Sequence, residues 1–158
     1  ILLELFEAVP TIRAIKDWTN DAKVHEAHIR TFQSLPRPVN VLTTHSAWLM
    51  SSLVMGAAGL LSGAGSVIAP EQVALFRAVQ NNDLAEAKRI NDRIYPLQQA
   101  FYCDPFVDMH NRMKECNVML GRMPKAVMRP PLMKLSDAEL ARLRAALGES
   151  GLLMQEAA

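Results

Sequence analysis

Residues 9–17 read VPTIRAIKD: a proline turn, a short run rich in branched apolar residues, and then Lys16 and Asp17. A short apolar run of this kind, bounded by a turn residue, is typical of a buried β-strand. On its amino-terminal side, residues 2–9 place apolar side chains on one face of a helix that Pro10 ends. On its other side, residues 21–35 have the spacing of an amphipathic helix. Residues 11–15 (TIRAI) are therefore predicted to form a strand between two helices, with Lys16 directly after it.

The alternation continues along the chain. Residues 39–43 (VNVLT) are predicted to form a second strand, residues 48–55 a short apolar helix that ends at Gly56, and residues 59–62 (GLLS) a third strand. Strands that alternate with helices at this spacing indicate parallel βαβ units. A closed barrel of such units typically needs about 250 residues. Because the chain also starts without a methionine, we expect it to be a piece of a larger α/β fold.

The remainder of the sequence changes character and is predicted to be helical. The expected helices cover residues 70–82, 84–97, 104–121 (capped by Asp104 and Pro105) and 137–147 (opened by a capping box of Ser136 and Glu139), with residues 129–135 as an extended linker. We therefore predict two parts: residues 1–70 with β/α alternation, and residues 71–158 built from helices alone.

Composition excludes several classes of protein. Of the 158 residues, 50% are hydrophobic and 21% charged, and the net charge is +1. This is the composition of a globular protein. A net charge so close to zero creates no strong electrostatic potential that would attract nucleic acid or an acidic membrane. The most apolar stretch, residues 47–61, is 15 residues long and shorter than the roughly 20 that a membrane span needs. Cys103 and Cys116 are too few for a disulfide scaffold, so free thiols and a cytoplasmic location are expected.

Lys16 is the residue most suited to chemistry. A lysine at the inner end of a parallel strand lies in a largely apolar cavity, where its uncharged form is favoured. A neutral amine can attack a ketone and form an iminium, which then serves as an electron sink for making or breaking carbon–carbon bonds. A solvent-facing lysine paired with Asp17 is the alternative, and position alone leaves it open.

Two further patterns carry less weight. His25 and His28 (HEAH) share a helix face, but metal-binding helices usually need histidines four residues apart and a third ligand. We therefore expect an exposed helix face there, and no metal. The loop of residues 63–65 (GAG) lacks the Lys-Ser/Thr of a phosphate-binding loop and the full dinucleotide fingerprint, so close packing explains it and no cofactor is predicted.

Four segments, in order, resemble the dihydrodipicolinate synthase and N-acetylneuraminate lyase family. VPTIRAIKD at residues 9–17 is similar to the family's sixth strand, and GAAGLLSGAGSVIAP at residues 56–70 is similar to its eighth. NDLAEAKRINDRIYPLQQAF at residues 82–101 resembles a C-terminal helix of the family, and RPPLMKLSDAELARLRAAL at residues 129–147 its final segment and helix. The resemblance covers almost the whole chain, residues 9–153.

This resemblance implies an α/β fold: the C-terminal part, about strands 6–8, of a (β/α)8 barrel followed by an all-helical extension. It implies that Lys16 is the Schiff-base lysine of a class I aldolase-type lyase, synthase or dehydratase. The substrate would be pyruvate or a related 2-oxo acid, with no metal or organic cofactor. A homo-oligomer, dimer or tetramer, is expected from the family, with neither nucleic acid nor membrane as partner.

The resemblance also assigns binding positions. Thr44 falls where the family often has glycine at the end of the seventh strand, and Leu61 takes the eighth-strand position whose backbone faces the substrate. His45 falls where relatives place residues specific for the second substrate, as a proton-transfer group or as a polar lining residue. Trp18 replaces a smaller residue. Such a pocket would differ from that for dihydrodipicolinate synthesis.

Two catalytic parts of the family do not appear in this sequence: a threonine-rich turn after an early strand and a proton-relaying tyrosine after the fifth strand. Without them the segment would lack most of the preorganisation that catalysis needs, and we expect that it cannot complete the cycle alone. The alternative function is a degenerate barrel fragment that binds a 2-oxo acid without catalysis, or an interaction module built on the helical half.

Overall fold

The computed structural model describes residues 1–153. The chain divides into two compact units, residues 1–62 and residues 63 onward. The sequence-based boundary after residue 70 falls inside the first helix of the second unit. No helix in residues 1–153 combines the length and the apolar character that crossing a membrane requires.

The first unit is a three-stranded parallel sheet with helices between its strands. Its elements are α1 (Leu2–Ala8), β1 (Ala14–Asp17), α2 (Ala22–Gln33), β2 (Asn40–Thr43), a 3₁₀ turn (Ser46–Trp48), α3 (Leu49–Val54) and β3 (Gly59–Leu60). The strand order is β1-β2-β3 and both pairings are parallel. In the register of the sheet, Lys16 lies beside Leu42, and Leu42 lies beside Gly59. The predicted β/α alternation is confirmed.

The strand bounds differ from those predicted. The strand expected at residues 11–15 begins at Ala14 and includes Lys16 and Asp17. Its start is delayed because the backbone turns after Pro10, with the Ile12 N–H donating to the Val9 carbonyl at 3.1 Å. Lys16 therefore lies within the strand and not after it, which fixes its direction by the pleat of the sheet.

Helix α2 begins and packs as local chemistry requires. The Asp21 carboxylate caps it by accepting hydrogen bonds from the N–H groups of Lys23 and Val24, at 2.9 and 3.1 Å. The buried face of the helix consists of His25, Ile29 and Phe32. Ile29 and Phe32 are buried as the apolar spacing of residues 21–35 predicts, whereas Val24, another apolar residue of that helix, is 40% exposed. His25 takes the buried place beside Ile29 and Phe32 instead.

The core of the first unit lies between the sheet and its helices. It is made of Phe6, Ile29, Phe32, Val39, Val41, Leu49, Leu53 and Ala57. The rings of Phe6 and Phe32 meet edge to face, with centroids 5.1 Å apart, an arrangement that adds about 0.5–1.5 kcal/mol to the area they bury. Gly56 ends the α3 segment with a φ of 104°, a conformation in which any other residue would be strained.

The second unit is helical throughout, as predicted. It contains α4 (Gly65–Gln80), α5 (Leu84–Tyr102), a 3₁₀ turn (Phe106–Asp108), α6 (Met109–Met119) and α7 (Asp137–Glu149). Helix α4 is broken at Ile68, where φ and ψ are −120° and 38°, so Pro70 lies in the first turn of its longer part. The Ser136 hydroxyl caps α7 by accepting from the Glu139 N–H at 3.3 Å.

One predicted helix start is wrong. Asp104 and Pro105 were expected to open the third helix of this unit, but α6 begins only at Met109. Pro105 has an extended backbone, with ψ at 125°, so it cannot occupy the first turn of a helix.

Arg112 fills the interior of the second unit. Its side chain is completely buried and donates to the Phe101 carbonyl at 3.2 Å, to the Cys103 carbonyl at 2.7 Å and to the Glu139 carboxylate at 3.2 Å. The guanidinium thereby supplies hydrogen-bond donors to the carbonyl groups at the carboxyl end of α5 and links that end to α7. Both cysteines are free thiols, as predicted, and burial raises the pKa of the Cys116 thiol to about 12.

Candidate active site

Lys16 projects from the face of the sheet that α2 and α3 leave free. Successive residues of a strand point to opposite faces, and the two neighbours differ accordingly: Asp17 is 3% exposed, whereas Lys16 is exposed. Asp17 contacts His25 of α2, so Lys16 points away from that helix. The residues in register with Lys16 on the next two strands are Leu42 and Gly59. The amine therefore extends from a row of otherwise apolar residues.

Gly59 has a steric reason to lack a side chain. A Cβ atom built on it would lie 3.1 Å from Cδ2 of Leu42, closer than carbon atoms pack without displacement. Next to Lys16, the row therefore contains the Leu42 side chain and then Gly59, which has no side chain. A small ligand that reaches the amine would contact the apolar side chain of Leu42 here.

The predicted binding residues Trp18, Thr44 and Leu61 each follow the carboxyl end of a different strand. In a parallel sheet these ends meet at one edge, so the structure brings the three residues to the edge that follows Lys16. Trp18 and Leu61 are 41% and 53% exposed. Thr44 is buried, and among residues 1–153 its hydroxyl oxygen has no hydrogen-bond partner.

His45 directly follows Thr44, and its ring lies near that of Trp18, with centroids 6.2 Å apart. The His45 ring is 4% exposed, stacks on Trp48 with centroids 4.3 Å apart, and meets the His25 ring edge to face at 4.9 Å. Its Nε2 lies 3.9 Å from Oδ1 of Asp17. Burial lowers the pKa of His45 and the neighbouring His25 lowers it further, against a smaller opposing effect of the Asp17 carboxylate. His45 therefore belongs to the buried cluster around Asp17 and also adjoins Trp18.

Asp17 is the centre of this cluster. Its Oδ2 atom lies 2.8 Å from Nδ1 of His25 and 3.0 Å from Nδ1 of His28, and its Oδ1 accepts from the Thr19 N–H at 2.9 Å. Burial alone would raise the pKa of Asp17, but the hydrogen bonds from His25, His28 and Thr19 outweigh it and lower the pKa below its usual value. The carboxylate is therefore charged at neutral pH and accepts hydrogen bonds from three groups.

Ser52 completes the network on the far side of His25. Its hydroxyl oxygen lies 2.7 Å from Nε2 of His25, and both side chains are fully buried. Because Nδ1 of His25 faces a carboxylate, the network assigns the ring proton to Nδ1 and leaves Nε2 to accept from Ser52. A buried carboxylate, imidazole and hydroxyl are thus connected in sequence through hydrogen bonds.

The expectation of an exposed helix face at residues 25–28 is wrong for His25. That side chain is 0% exposed, whereas His28 keeps 24% of its side chain exposed. Sequence reasoning also missed Asp17 and Ser52 as its partners. One signal was present: His25 lies four residues before Ile29 and seven before Phe32, which is the spacing of one buried helix face.

Comparison with known proteins identifies what the chain is similar to. The family model described as the dihydrodipicolinate synthetase family matches residues 2–150. The 4-hydroxy-tetrahydrodipicolinate synthase of Acidobacterium capsulatum is 30% identical over 155 residues, which cover 98% of this chain and 49% of that protein. The putative 2-dehydro-3-deoxy-D-gluconate aldolase YagE of Escherichia coli is 28% identical over 145 residues, 90% of this chain and 47% of that protein.

Solved structures of similar proteins have the same fold as this chain. Dihydrodipicolinate synthase from Thermotoga maritima superposes with a TM-score of 0.83 at 20% identity, over 95% of this chain and 50% of the other. YagE of Escherichia coli, solved in complex with pyruvate, gives a TM-score of 0.83 at 24% identity over the same shares of the two chains. The fold is therefore that of the C-terminal part of a (β/α)8 barrel followed by helices, as predicted. The chain spans about half the length of the curated relatives it matches.

Proposed function

Because the chain belongs to the dihydrodipicolinate synthetase family, we propose that Lys16 forms a Schiff base with the keto group of pyruvate or a related 2-oxo acid. The curated relatives are synthases and an aldolase, so the chain comes from an enzyme family of the aldolase type. The Schiff base, the substrate and the residues that act on them are the proposal.

The observation that carries the proposal is the direction of Lys16. It is an exposed lysine within a parallel strand, on the face opposite Asp17 and in register with Leu42 and Gly59. In (β/α)8 barrels the catalytic residues lie at the carboxyl ends of the strands, and Lys16 is the last but one residue of β1. A lysine on the other face would enter the buried core and could not reach a substrate.

The chemistry needs the uncharged amine. Nζ of Lys16 attacks the keto carbon, and a proton passes from nitrogen to oxygen to give the neutral carbinolamine. The carbinolamine takes up one proton from the medium on its hydroxyl and loses water, which leaves the protonated imine. That iminium withdraws electrons from the adjacent carbon, which then loses a proton or breaks a carbon–carbon bond. Hydrolysis of the imine returns the free lysine and the product, so no outside oxidant or reductant takes part.

Trp18, Thr44 and Leu61 are proposed to line the substrate pocket. Their support is the shared position at the carboxyl edge of the sheet. The Thr44 hydroxyl adds a buried hydrogen-bonding group without a partner among residues 1–153, and such groups are rare unless a ligand or water pairs with them. His45 faces the Asp17 cluster and also adjoins Trp18, so it is proposed as a polar residue at the boundary of the pocket.

The test is reductive trapping. Pyruvate and borohydride are added to the longest natural polypeptide that contains this chain, and the modified peptide is located by mass spectrometry. The proposal expects an irreversible reduced adduct on Lys16 that is lost in Lys16→Arg and kept in Lys23→Arg, a matched control at an exposed lysine. Absence of any adduct in the folded polypeptide would reject the proposal and favour a barrel that binds a 2-oxo acid without catalysis.

A further inference from the structure

The cluster behind β1 holds three side chains suited to a metal ion. Asp17, His25 and His45 each offer one ligand atom, and these atoms all lie within 4.8 Å of one another. The three residues are 3%, 0% and 4% exposed. They come from three separate elements, namely β1, α2 and the segment between β2 and α3. Three of the four histidines of the chain, counting His28, gather around one carboxylate.

A buried nitrogen of this cluster has no hydrogen-bond partner in the part of the chain that the structure describes. Nε2 of His45 is buried and has no hydrogen-bond partner among residues 1–153. Its nearest acceptor, Oδ1 of Asp17, lies 3.9 Å away, beyond the range of a hydrogen bond. A buried polar atom without a partner is costly and calls for an explanation. The nitrogen is aimed into the cluster, where an ion bound to Asp17 and His25 would be within its reach.

We propose that Asp17, His25 and His45 bind a divalent transition metal of the zinc type. Two imidazoles and one carboxylate are ligands that Zn²⁺ takes in proteins, whereas Ca²⁺ and Mg²⁺ prefer oxygen ligands alone. The site lies on the opposite side of β1 from Lys16, so it is independent of the proposed Schiff base. It would fasten the strand that carries Lys16 to α2 and to the segment before α3.

The surrounding contacts fit such a site. When Nδ1 of His25 binds the metal, its proton moves to Nε2, which then donates to the Ser52 hydroxyl already 2.7 Å away. Histidine ligands in metal sites nearly always donate their second nitrogen in this way. The Thr19 N–H, 2.9 Å from Oδ1 of Asp17, and Nδ1 of His28, 3.0 Å from Oδ2, hold the carboxylate in place.

Binding requires a modest contraction. Ligand atoms bonded to zinc at about 2.0–2.1 Å in a tetrahedron are about 3.3 Å apart, so the widest separation, at most 4.8 Å, must close by no more than about 1.5 Å. Water would take the fourth position. It can arrive beside His28, whose side chain is 24% exposed and marks the solvent side of the cluster.

The experiment titrates the chelator-treated, metal-free chain with Co²⁺ and then with Zn²⁺. The proposal expects one equivalent of Co²⁺ to bind with the visible absorption bands of a low-coordinate ion, and Zn²⁺ to displace it. Ser52→Ala should weaken binding by about 10- to 100-fold, as loss of an outer partner does, and His45→Ala by more than that. His110→Ala, which removes an exposed histidine of the second unit, should bind like the wild type.

His45→Ala is an informative variant because its Nε2 makes no hydrogen bond that the change would break. Circular dichroism verifies that it folds. A second measurement needs no variant: long-range ¹H–¹⁵N NMR should show Zn²⁺ shifting Nδ1 of His25 and Nε2 of His45 together. Wild-type affinity in His45→Ala, or failure of the folded wild-type chain to bind either ion, would overturn the proposal without touching the Schiff-base test.

Discussion

Asp17 of β1 and His25 of α2 are joined by a hydrogen bond of 2.8 Å in the interior of the first unit. Asp17 directly follows Lys16, so the carboxylate that anchors the strand to the helix lies one residue from the proposed nucleophile. The pleat of the strand sends the two side chains in opposite directions. One side of β1 is thereby free to meet a substrate, while the other holds the strand against α2.

Asp17→Asn is expected to destabilise the first unit. The substitution removes the charge that accepts from His25, His28 and Thr19, and its amide group places N–H donors against ring N–H donors. Hydrogen bonds to a charged group contribute about 1.5–3 kcal/mol, so we expect the free energy of unfolding to fall by at least about 2 kcal/mol. Urea unfolding followed by tryptophan fluorescence measures this, since both tryptophans, Trp18 and Trp48, lie in the first unit.

The matched control is Asp92→Asn, at an exposed carboxylate of the second unit. Surface substitutions of this kind stay within about 0.5 kcal/mol. If Asp17→Asn unfolded at the same urea concentration as this control, the Asp17 network would not contribute to stability.

Arg112→Ala is expected to destabilise the second unit. The change leaves two carbonyls, those of Phe101 and Cys103, without their donor and removes the partner of Glu139. Breaking a buried charged network in this way costs about 3–5 kcal/mol. Thermal unfolding followed by far-ultraviolet circular dichroism reports mainly on this helical unit, and Arg144→Ala, at an exposed position on the same helix α7 as Glu139, is the control. Equal melting temperatures for the two variants would contradict the assigned role of Arg112.

Much of the fold could be predicted from the sequence because its elements are marked locally. Proline, glycine and capping residues delimit the helices, and short apolar runs mark the strands. The burial of His25 in place of Val24 could not be predicted, because the Asp17 carboxylate that makes burial of the histidine favourable lies on a different element. The start of α6 was misplaced because Asp104 followed by Pro105 has the composition of a helix cap without its backbone conformation.

The candidate site could likewise be predicted from the sequence only in part. Lys16 was found because the residues around it resemble a family motif. The contact between His25 and Ser52 joins residues that are 27 positions apart, and nothing local in the sequence links them. His45 was assigned to the pocket by its place in the resemblance, and its stacking on Trp48 and contact with His25 add a place in the Asp17 cluster that the sequence did not indicate.

The two thiols are expected to react differently with iodoacetamide at pH 8. Burial raises the pKa of Cys116 to about 12, so almost none of it is the reactive thiolate, while Cys103 is only partly buried. Mass spectrometry of the native chain should find label on Cys103 alone, and Cys103→Ser should remain unlabelled. In the unfolded state a thiol ionises near pH 8.5, so Cys116 should react once urea is added. The stability that Cys116 contributes should also fall as the pH rises from about 9 towards 12, because only the unfolded state then loses the proton.

The 158-residue chain by itself is expected to turn over substrate far more slowly than a longer polypeptide that contains it. Beyond the amine, catalysis of this type needs groups that relay protons and hold the substrate carboxylate, and loss of one such preorganised group costs about 10²- to 10³-fold in rate. Both tyrosines of the chain, Tyr95 and Tyr102, lie on helix α5 and not at the end of a strand, which is where the family's proton-relaying tyrosine is expected. Cleavage of a 2-oxo-3-deoxy sugar acid, followed by release of pyruvate, compares the two polypeptides, with Lys16→Arg of each as the background. Equal rates from both, abolished by Lys16→Arg, would mean that residues 1–158 already hold every group the reaction requires.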